Sequence, residues 1–146
     1  MGVAVYCVRL RRERNSEPAL IRPKPFSSAP DIDDENVDAG QMPEERWTRL
    51  ARELIDRGEY RLSLRAFYLS TLAHLAERNL IGIARFKSNR DYENELRRRG
   101  HAIPNLVPMF SHNVSTFERI WYGVHAVDRD AVLDFAANVE RIKASG

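Results

Sequence analysis

Apolar residues recur at steps of three and four residues in several stretches of this chain, which is the period of an amphipathic helix. The first such stretch follows Pro43 and stops near Gly58. Proline suits the start of a helix, and Glu44 and Glu45 complement the positive end of the helix dipole. The apolar stripe consists of Trp47, Leu50, Ala51, Leu54 and Ile55. The pattern predicts a first amphipathic helix that Gly58 terminates.

The second predicted helix, over residues 59–79, is apolar around most of its circumference. A helix without a polar face belongs at the centre of a bundle. With the first helix it resembles a single tetratricopeptide hairpin, a likeness carried by Trp47, Leu50, Gly58, Tyr60 and Phe67. The pattern does not recur after the motif's period of about 34 residues. We therefore expect one such hairpin and no solenoid.

The third predicted helix has a clear start signal, because Ser88 is a good N-cap and Asp91 follows it at the capping-box position. Gly100 ends this helix after a run of arginines. Cations are favourable in the last turn of a helix, so the helix dipole alone accounts for that cluster of arginines.

Two further apolar stripes predict a fourth helix, which begins near Pro104 or Asn105 and ends at Gly123, and a fifth helix capped by Asp128. The connections are short, and no alternating pattern typical of strands is present. The predicted fold is an all-α bundle of about five helices over residues 43–146.

Residues 1–42 show neither the helical period nor the alternation of a strand, and they are predicted to form a tether. Prolines and serines interrupt residues 15–42, which are basic at first and acidic later, as in an extended linker. Residues 3–8 are apolar and arginines follow them. This run is too short to span a bilayer, which takes about 20 residues, but it resembles the end of a transmembrane helix with its cytoplasmic flank. A disordered or edge-strand start of a soluble protein is the other interpretation.

Composition limits the functional classes only mildly. The chain has 146 residues and a formal net charge of +2, and its pI is about 8.9. This is a weak positive charge for a dedicated nucleic-acid binder. Cys7 is the single cysteine, which excludes an internal disulfide and fits a reducing compartment.

No pattern of catalytic or metal-binding residues is recognisable in the sequence. The four histidines lack the spacing that places two imidazoles on one helical face. Cys7 lies outside the predicted bundle, and no glycine-rich phosphate loop occurs. We therefore expect no enzymatic activity, no cofactor and no metal.

Polar and aromatic residues around the third and fourth helices mark a candidate partner surface. The candidate partner-binding residues are Lys87, Asn89, Arg90, Arg119 and Tyr122. Arginine and tyrosine are enriched at interface hot spots. Two simpler interpretations stay open: residues 87–90 form a helix cap with solvated charges, and Trp121 belongs to the core.

A small helix-turn-helix-like nucleic-acid binder is the alternative function. It would use the cations Arg85, Lys87, Arg90, Arg97, Arg98 and Arg99. Asp91, Glu93 and Glu95 share the same predicted helix and would repel phosphates. Nucleic-acid binding is therefore the less favoured hypothesis.

Two runs carry a resemblance to a known family: residues 86–92, with the sequence FKSNRDY, and residues 117–123, with the sequence FERIWYG. With the first hairpin they extend the likeness over residues 43–142. This region resembles a bacterial domain of unknown function that commonly forms the cytoplasmic C-terminal region of membrane proteins. Some of those proteins carry transglutaminase-like extracytoplasmic domains.

The resemblance implies a non-catalytic interaction or regulatory domain at the inner face of the cell membrane. It also implies protein partners encoded in the same operon, such as an AAA-type ATPase or a protein with a von Willebrand-like domain. Transglutaminase activity is not implied, because the catalytic residues of that domain have no counterpart in this sequence.

Overall fold

The computed structural model describes residues 31–34, 36–123 and 126–146. These residues form a short 3₁₀ helix and five α-helices, with no strand among them. The elements are the 3₁₀ helix Ala39–Gln41, α1 Glu44–Asp56, α2 Tyr60–Glu77, α3 Asn89–Gly100, α4 Leu106–Trp121 and α5 Arg129–Ala144. The predicted all-α bundle of five helices is confirmed. The predicted transmembrane stub at residues 3–8 and the predicted tether over residues 1–30 fall outside the described residues.

Helices α1 and α2 form the predicted antiparallel hairpin. The hydroxyls of Thr48 and Ser70 share a hydrogen bond of 2.8 Å, and Ser63 Oγ donates to the Ala51 carbonyl at 2.7 Å. Contacts therefore pair later residues of α1 with earlier residues of α2. Gly58 turns the chain between the two helices with a φ of 76°, a left-handed conformation in which glycine carries no steric penalty.

Helix α2 is the central element of the bundle. It packs against α1, α4, α5 and the 3₁₀ helix, and its residues from Ser63 to Ala73 are all buried. Two of its buried hydroxyls donate to backbone carbonyls: Ser63 Oγ bonds to Ala51, and Thr71 Oγ1 donates to the Phe67 carbonyl at 3.0 Å. The apolar side chains around α2 are thus covered by neighbouring elements, as the sequence predicted for a central helix.

Packing begins before Pro43, within the segment that the sequence analysis assigns to the tether. Ile32, Val37, Ala39 and Met42 are buried in the core. Trp47 Nε1 donates to the Ala39 carbonyl at 2.9 Å and so attaches the 3₁₀ helix to α1. Four irregularly spaced apolar residues have no period, and for this reason the pattern analysis did not find them.

Predicted caps are present at two helix starts. Ser88 and Asp91 form a reciprocal capping box, with Asp91 N donating to Ser88 Oγ at 3.2 Å and Ser88 N donating to Asp91 Oδ2 at 2.8 Å. These bonds hold the pKa of the Asp91 carboxyl below its ordinary value. Asp128 accepts from Ala131 N at 2.9 Å. Pro43 is the N-cap of α1, so this helix begins at Glu44, one residue later than predicted.

A polar cluster joins α5 to the hairpin. Lys143 Nζ donates to Glu44 Oε2 at 3.1 Å and to Thr48 Oγ1 at 3.0 Å, and it also bonds to Ser70. His74 Nδ1 lies 3.1 Å from Glu44 Oε1. Burial raises the pKa of Glu44, but the hydrogen bonds from His74 and Lys143 outweigh it, and the net pKa is lowered. The described helices include none that is both long and apolar enough to cross a bilayer.

Candidate functional site

The connection between α2 and α3 is held in one conformation by the buried carboxylate of Glu95. Gly82 N donates to Glu95 Oε1 at 3.2 Å, and Lys87 Nζ donates to the same oxygen at 2.7 Å. Lys87 also bonds to the Gly82 carbonyl, while Arg99 lies 3.6 Å from Glu95 Oε2. Burial raises the pKa of Glu95, but the bonds to these partners lower it by more than burial raises it. The net pKa of Glu95 is therefore below the ordinary value.

The tip of the same loop is closed by Tyr92 and by a turn. Tyr92 Oη donates to the Ala84 carbonyl at 3.2 Å and accepts from Ala84 N at 3.3 Å. Lys87 N donates to the Ala84 carbonyl at 3.2 Å. Phe86 stands between these anchored residues and is 97% exposed. The fold therefore holds the backbone on both sides of Phe86 and leaves its ring in solvent.

A cavity of about 170 Å³ lies beside this loop, bounded by α2, α3, α4 and residues 36–39. Its aromatic lining consists of Tyr68, Tyr92, Phe117 and Tyr122. Tyr68 and Phe117 stack with ring centroids 4.4 Å apart. Tyr122 is 74% exposed and adds a second accessible ring at the edge of the cavity.

A chain of hydrogen bonds joins three helices at the cavity wall. Tyr68 Oη donates to Asn89 Oδ1 at 2.7 Å, and Asn89 Nδ2 donates to Glu118 Oε2 at 3.0 Å. Burial and the nearby Glu118 carboxylate raise the pKa of Tyr68 well above the ordinary value. The phenol therefore acts as a hydrogen-bond donor and positions the start of α3.

Trp121 belongs to the core and does not form a free contact surface. Its side chain is buried. The guanidinium carbons of Arg61 and Arg65 lie 4.0 Å and 4.9 Å from its ring centroid, and Arg61 also donates to its carbonyl oxygen at 2.5 Å. These are cation–π geometries that favour positive charge over an indole. The arginines come from α2, so the sequence around Trp121 did not indicate them.

The predicted partner residues do not form one patch. Lys87, Asn89 and Tyr122 line the same cavity, but Lys87 and Asn89 are bonded within the chain, as described above. Arg90 lies on an exposed position of α3. Arg119 lines a different groove, between α4 and α5.

Phe86 was missed because a lone aromatic in a polar run carries no helical or strand period. Its exposure depends on the loop conformation imposed by Glu95 and Tyr92. The signal that could have found it is its position immediately before the capping motif of α3, where the chain has to leave the packed core.

Some of the cations that the nucleic-acid hypothesis requires are already bonded to other side chains of the protein. Lys87 and Arg99 pair with Glu95, and Arg97 donates to Asn94 Oδ1 at 2.9 Å. Arg85, Arg90 and Arg98 are exposed. This arrangement leaves less free positive charge for phosphate contacts than the sequence implied.

The part of the chain that the structure covers holds no cluster of three or more side chains suited to bind a metal ion. His125, one of the four histidines considered above, lies outside the described residues. No protein-family model, curated protein or solved structure matches the chain. The family resemblance noted from the sequence therefore stays a prediction.

Proposed function

We propose that this chain is a non-catalytic protein-interaction or regulatory domain, and that its docking surface is the Phe86 loop with the adjoining cavity edge at Tyr122. The observation that supports this proposal is Phe86, 97% exposed on a loop whose backbone is bonded on both sides. Arg90 lies four residues further along the chain on an exposed position of α3 and adds a cation to this surface.

Preorganisation of the Phe86 loop favours binding. Burying a phenylalanine ring in a partner yields about 1.5–3 kcal/mol, and this gain is diminished when a loop has to be ordered on binding. Here Glu95 and Tyr92 already order the loop. A single exposed apolar side chain is ordinary on a protein surface, but a rigidly presented aromatic beside an aromatic-lined cavity is the arrangement of an interface anchor.

The cellular context of the proposal rests on the family resemblance. In that context the domain belongs to a membrane-associated bacterial protein and lies at the inner face of the cell membrane. Its partner is then an AAA-type ATPase or a protein with a von Willebrand-like domain from the same operon.

Site-specific photo-cross-linking in the source cells tests the docking surface. A benzophenone side chain is placed at position 86 in one variant and at Leu133 in another, because Leu133 is an apolar residue of α5 that is 41% exposed. We expect a discrete protein adduct from position 86 and none from position 133. Identical adducts from both positions, or none from position 86 in a folded protein, would contradict the proposal.

Arg90→Glu in the position-86 variant tests whether α3 takes part in the same surface. We expect weaker cross-linking to the same protein, since the substitution reverses the charge of an exposed side chain that the fold does not need. Recovery of nucleic acid instead of protein, with binding that falls steeply as salt is added, would favour the helix-turn-helix alternative.

A further inference from the structure

A strap of irregular chain packs against α2 before the helical bundle begins. It comprises residues 31–34 and 36–42 and includes the short 3₁₀ helix. Four of its side chains are buried: Ile32, Val37, Ala39 and Met42. Because these residues follow no helical or strand period, the strap is held by its fit to the helices and not by a regular structure of its own.

The helices hold the strap as a protein holds a bound peptide, with side-chain donors directed at its backbone. Arg65 Nη2 of α2 donates to the carbonyls of Asp34 and Val37 at 3.3 Å and 3.4 Å. Trp47 Nε1 of α1 donates to the Ala39 carbonyl at 2.9 Å. Hydrogen bonds to backbone carbonyls supply affinity for a peptide without selecting its side chains. The hairpin is therefore suited to hold another segment whose apolar residues fit the same positions.

The strap also forms one wall of the cavity beside the Phe86 loop. Val37 and Ala39 line this cavity from the strap, and Ala84 and Lys87 line it from the loop. The docking surface proposed above is therefore continuous with the strap. Displacement of the strap would join the cavity to the groove beneath it and lengthen the surface that a partner can contact.

Displacement of the strap leaves the rest of the fold in place. Asp38 Oδ1 accepts from Gly40 N at 2.8 Å, and the Asp38 carbonyl accepts from Gln41 N at 3.2 Å, so these bonds move with the strap. Helix α2 keeps its packing against α1, α4 and α5. Segments with few contacts to the core open at a lower free energy than the whole domain. We therefore expect the strap to open while the five helices stay folded.

We propose that the strap is an autoinhibitory segment, and that the protein partner replaces it with an extended acidic segment of the same chemistry. Such a segment carries apolar residues at the positions of Val37, Ala39 and Met42. Arg65 places a positive charge at the groove, which favours an acidic occupant. The acidic residues of the strap itself are Asp31, Asp33, Asp34 and Asp38.

This proposal rests on the protein-docking function proposed above. The partner binds only the molecules in which the strap is open, so its apparent affinity is reduced by the open fraction. A substitution that loosens the strap without altering the groove should therefore strengthen partner binding.

Hydrogen exchange of the Trp47 indole, followed by NMR in the full chain, tests opening without any partner. Val37→Ala removes buried contacts of the strap, and we expect the Nε1–H to exchange about tenfold faster as the open fraction rises. Val139→Ala is the matched control, because it makes the same change at a buried position of α5, and it should leave this exchange unchanged. Equal exchange in the two variants, whether faster or unaltered, would overturn the proposal.

A synthetic peptide with the sequence of residues 31–42 is the probe for the groove. At millimolar concentration, the range of the effective concentration of a tethered segment, we expect it to slow the Trp47 exchange of the Val37→Ala variant severalfold. The same peptide carrying Val37→Asp should have no effect. No slowing by the unaltered peptide, or equal slowing by both peptides, would overturn the proposal.

Cross-linking from position 86 separates this proposal from the docking function. Below saturation, we expect Val37→Ala to raise the yield of the partner adduct up to about tenfold and Val139→Ala to leave it unchanged. An adduct that forms with equal yield in all three backgrounds would overturn the autoinhibition alone. No adduct in any background would overturn the docking function and, with it, the displacement of the strap by a partner.

Discussion

The phenol of Tyr68 in α2 donates a hydrogen bond of 2.7 Å to the side-chain oxygen of Asn89, the first residue of α3. Tyr68 is buried, whereas Asn89 is half-buried and also bonds to Glu118 of α4. The Tyr68 hydroxyl and the Asn89 side chain thus differ in their access to water. Removing one or the other should therefore lower the free energy of unfolding by different amounts.

Removing the acceptor should cost more than removing the donor. Tyr68→Phe leaves Asn89 able to bond to water, and we expect the free energy of unfolding to fall by about 1 kcal/mol. Asn89→Ala leaves a buried hydroxyl without a partner, and we expect a loss of about 1–3 kcal/mol. Denaturant unfolding measures both. Asn94→Ala, on the exposed face of the same helix, is the control with little expected effect.

The raised pKa of Tyr68 predicts a loss of stability in alkali. The unfolded phenol ionises near 10, while burial keeps the folded phenol protonated above that pH. The folded state thus binds more protons there, and stability falls as the pH rises above 10. Unfolding free energies measured up to pH 11 should fall more steeply for wild type than for Tyr68→Phe. Equal slopes would show that Tyr68 does not cause the alkaline loss.

Glu95 should control both stability and the shape of the Phe86 loop. Glu95→Gln removes the charge that binds Lys87 and Arg99, and we expect a loss of about 1–3 kcal/mol at neutral pH. Because the folded pKa of Glu95 is below 4.5, its contribution is present above that pH and is lost as the pH falls. Unfolding curves between pH 7 and 3 should therefore be flatter for the variant than for wild type.

Glu93→Gln, two residues earlier on α3, is the matched control for that experiment, since Glu93 makes no hydrogen bond or ion pair with the residues that the structure describes. Cross-linking from position 86 supplies a second readout. If Glu95→Gln leaves the fold intact and cross-linking unchanged, the Phe86 loop does not depend on the contacts of the Glu95 carboxylate.

Ile32 tests whether the segment before Pro43 is part of the domain. Its side chain is buried, and we expect Ile32→Ala to lower the free energy of unfolding by about 2–4 kcal/mol through lost burial and a cavity. Asp33→Ala, at the exposed neighbouring position, should change it by less than about 0.5 kcal/mol. Equal and small effects would place Ile32 outside the cooperative core.

A substitution at Gly58 tests the cost of backbone conformation alone. A Cβ at Gly58 meets no atom within 4 Å, yet its φ is +76°, so the cost of Gly58→Ala is conformational. We expect a loss of about 1–2 kcal/mol. Asn79 has a φ of 61° at the equivalent position after α2, and Asn79→Gly should stabilise by a few tenths of a kcal/mol. Thermal unfolding distinguishes the two directions of change.

The sequence by itself determined the helical elements, because their signals are local. The capping pair Ser88 and Asp91, the terminating Gly58 and the cap at Asp128 act on residues within one turn, and each occurs in the structure. The apolar circumference of α2 also predicted its central place. A helix with no polar face is stable only when other elements cover it.

Tertiary structure decided what the functional surface contains. Lys87 and Asn89 are exposed polar residues by sequence, yet Glu95 and Tyr68 engage them from other parts of the fold. Conversely, Phe86 carries no helical or strand period in the sequence, and the fold leaves its ring in solvent. Arg119 was grouped with these residues by its proximity to Tyr122 in sequence, but it lines the groove between α4 and α5, whereas Tyr122 lines the cavity beside the Phe86 loop.

The core residues within the helices could be predicted from the sequence, whereas those before Pro43 could not. The buried residues of α1, α4 and α5 are recognisable by their helical period and those of α2 by its apolar circumference. Ile32 and Val37, in contrast, are buried without any period in the sequence. Helical periodicity marks the face of a helix that is buried, without saying which residues cover it. Contacts between residues far apart in the chain depend on how the helices are arranged, and that arrangement is decided by the packing of the whole bundle.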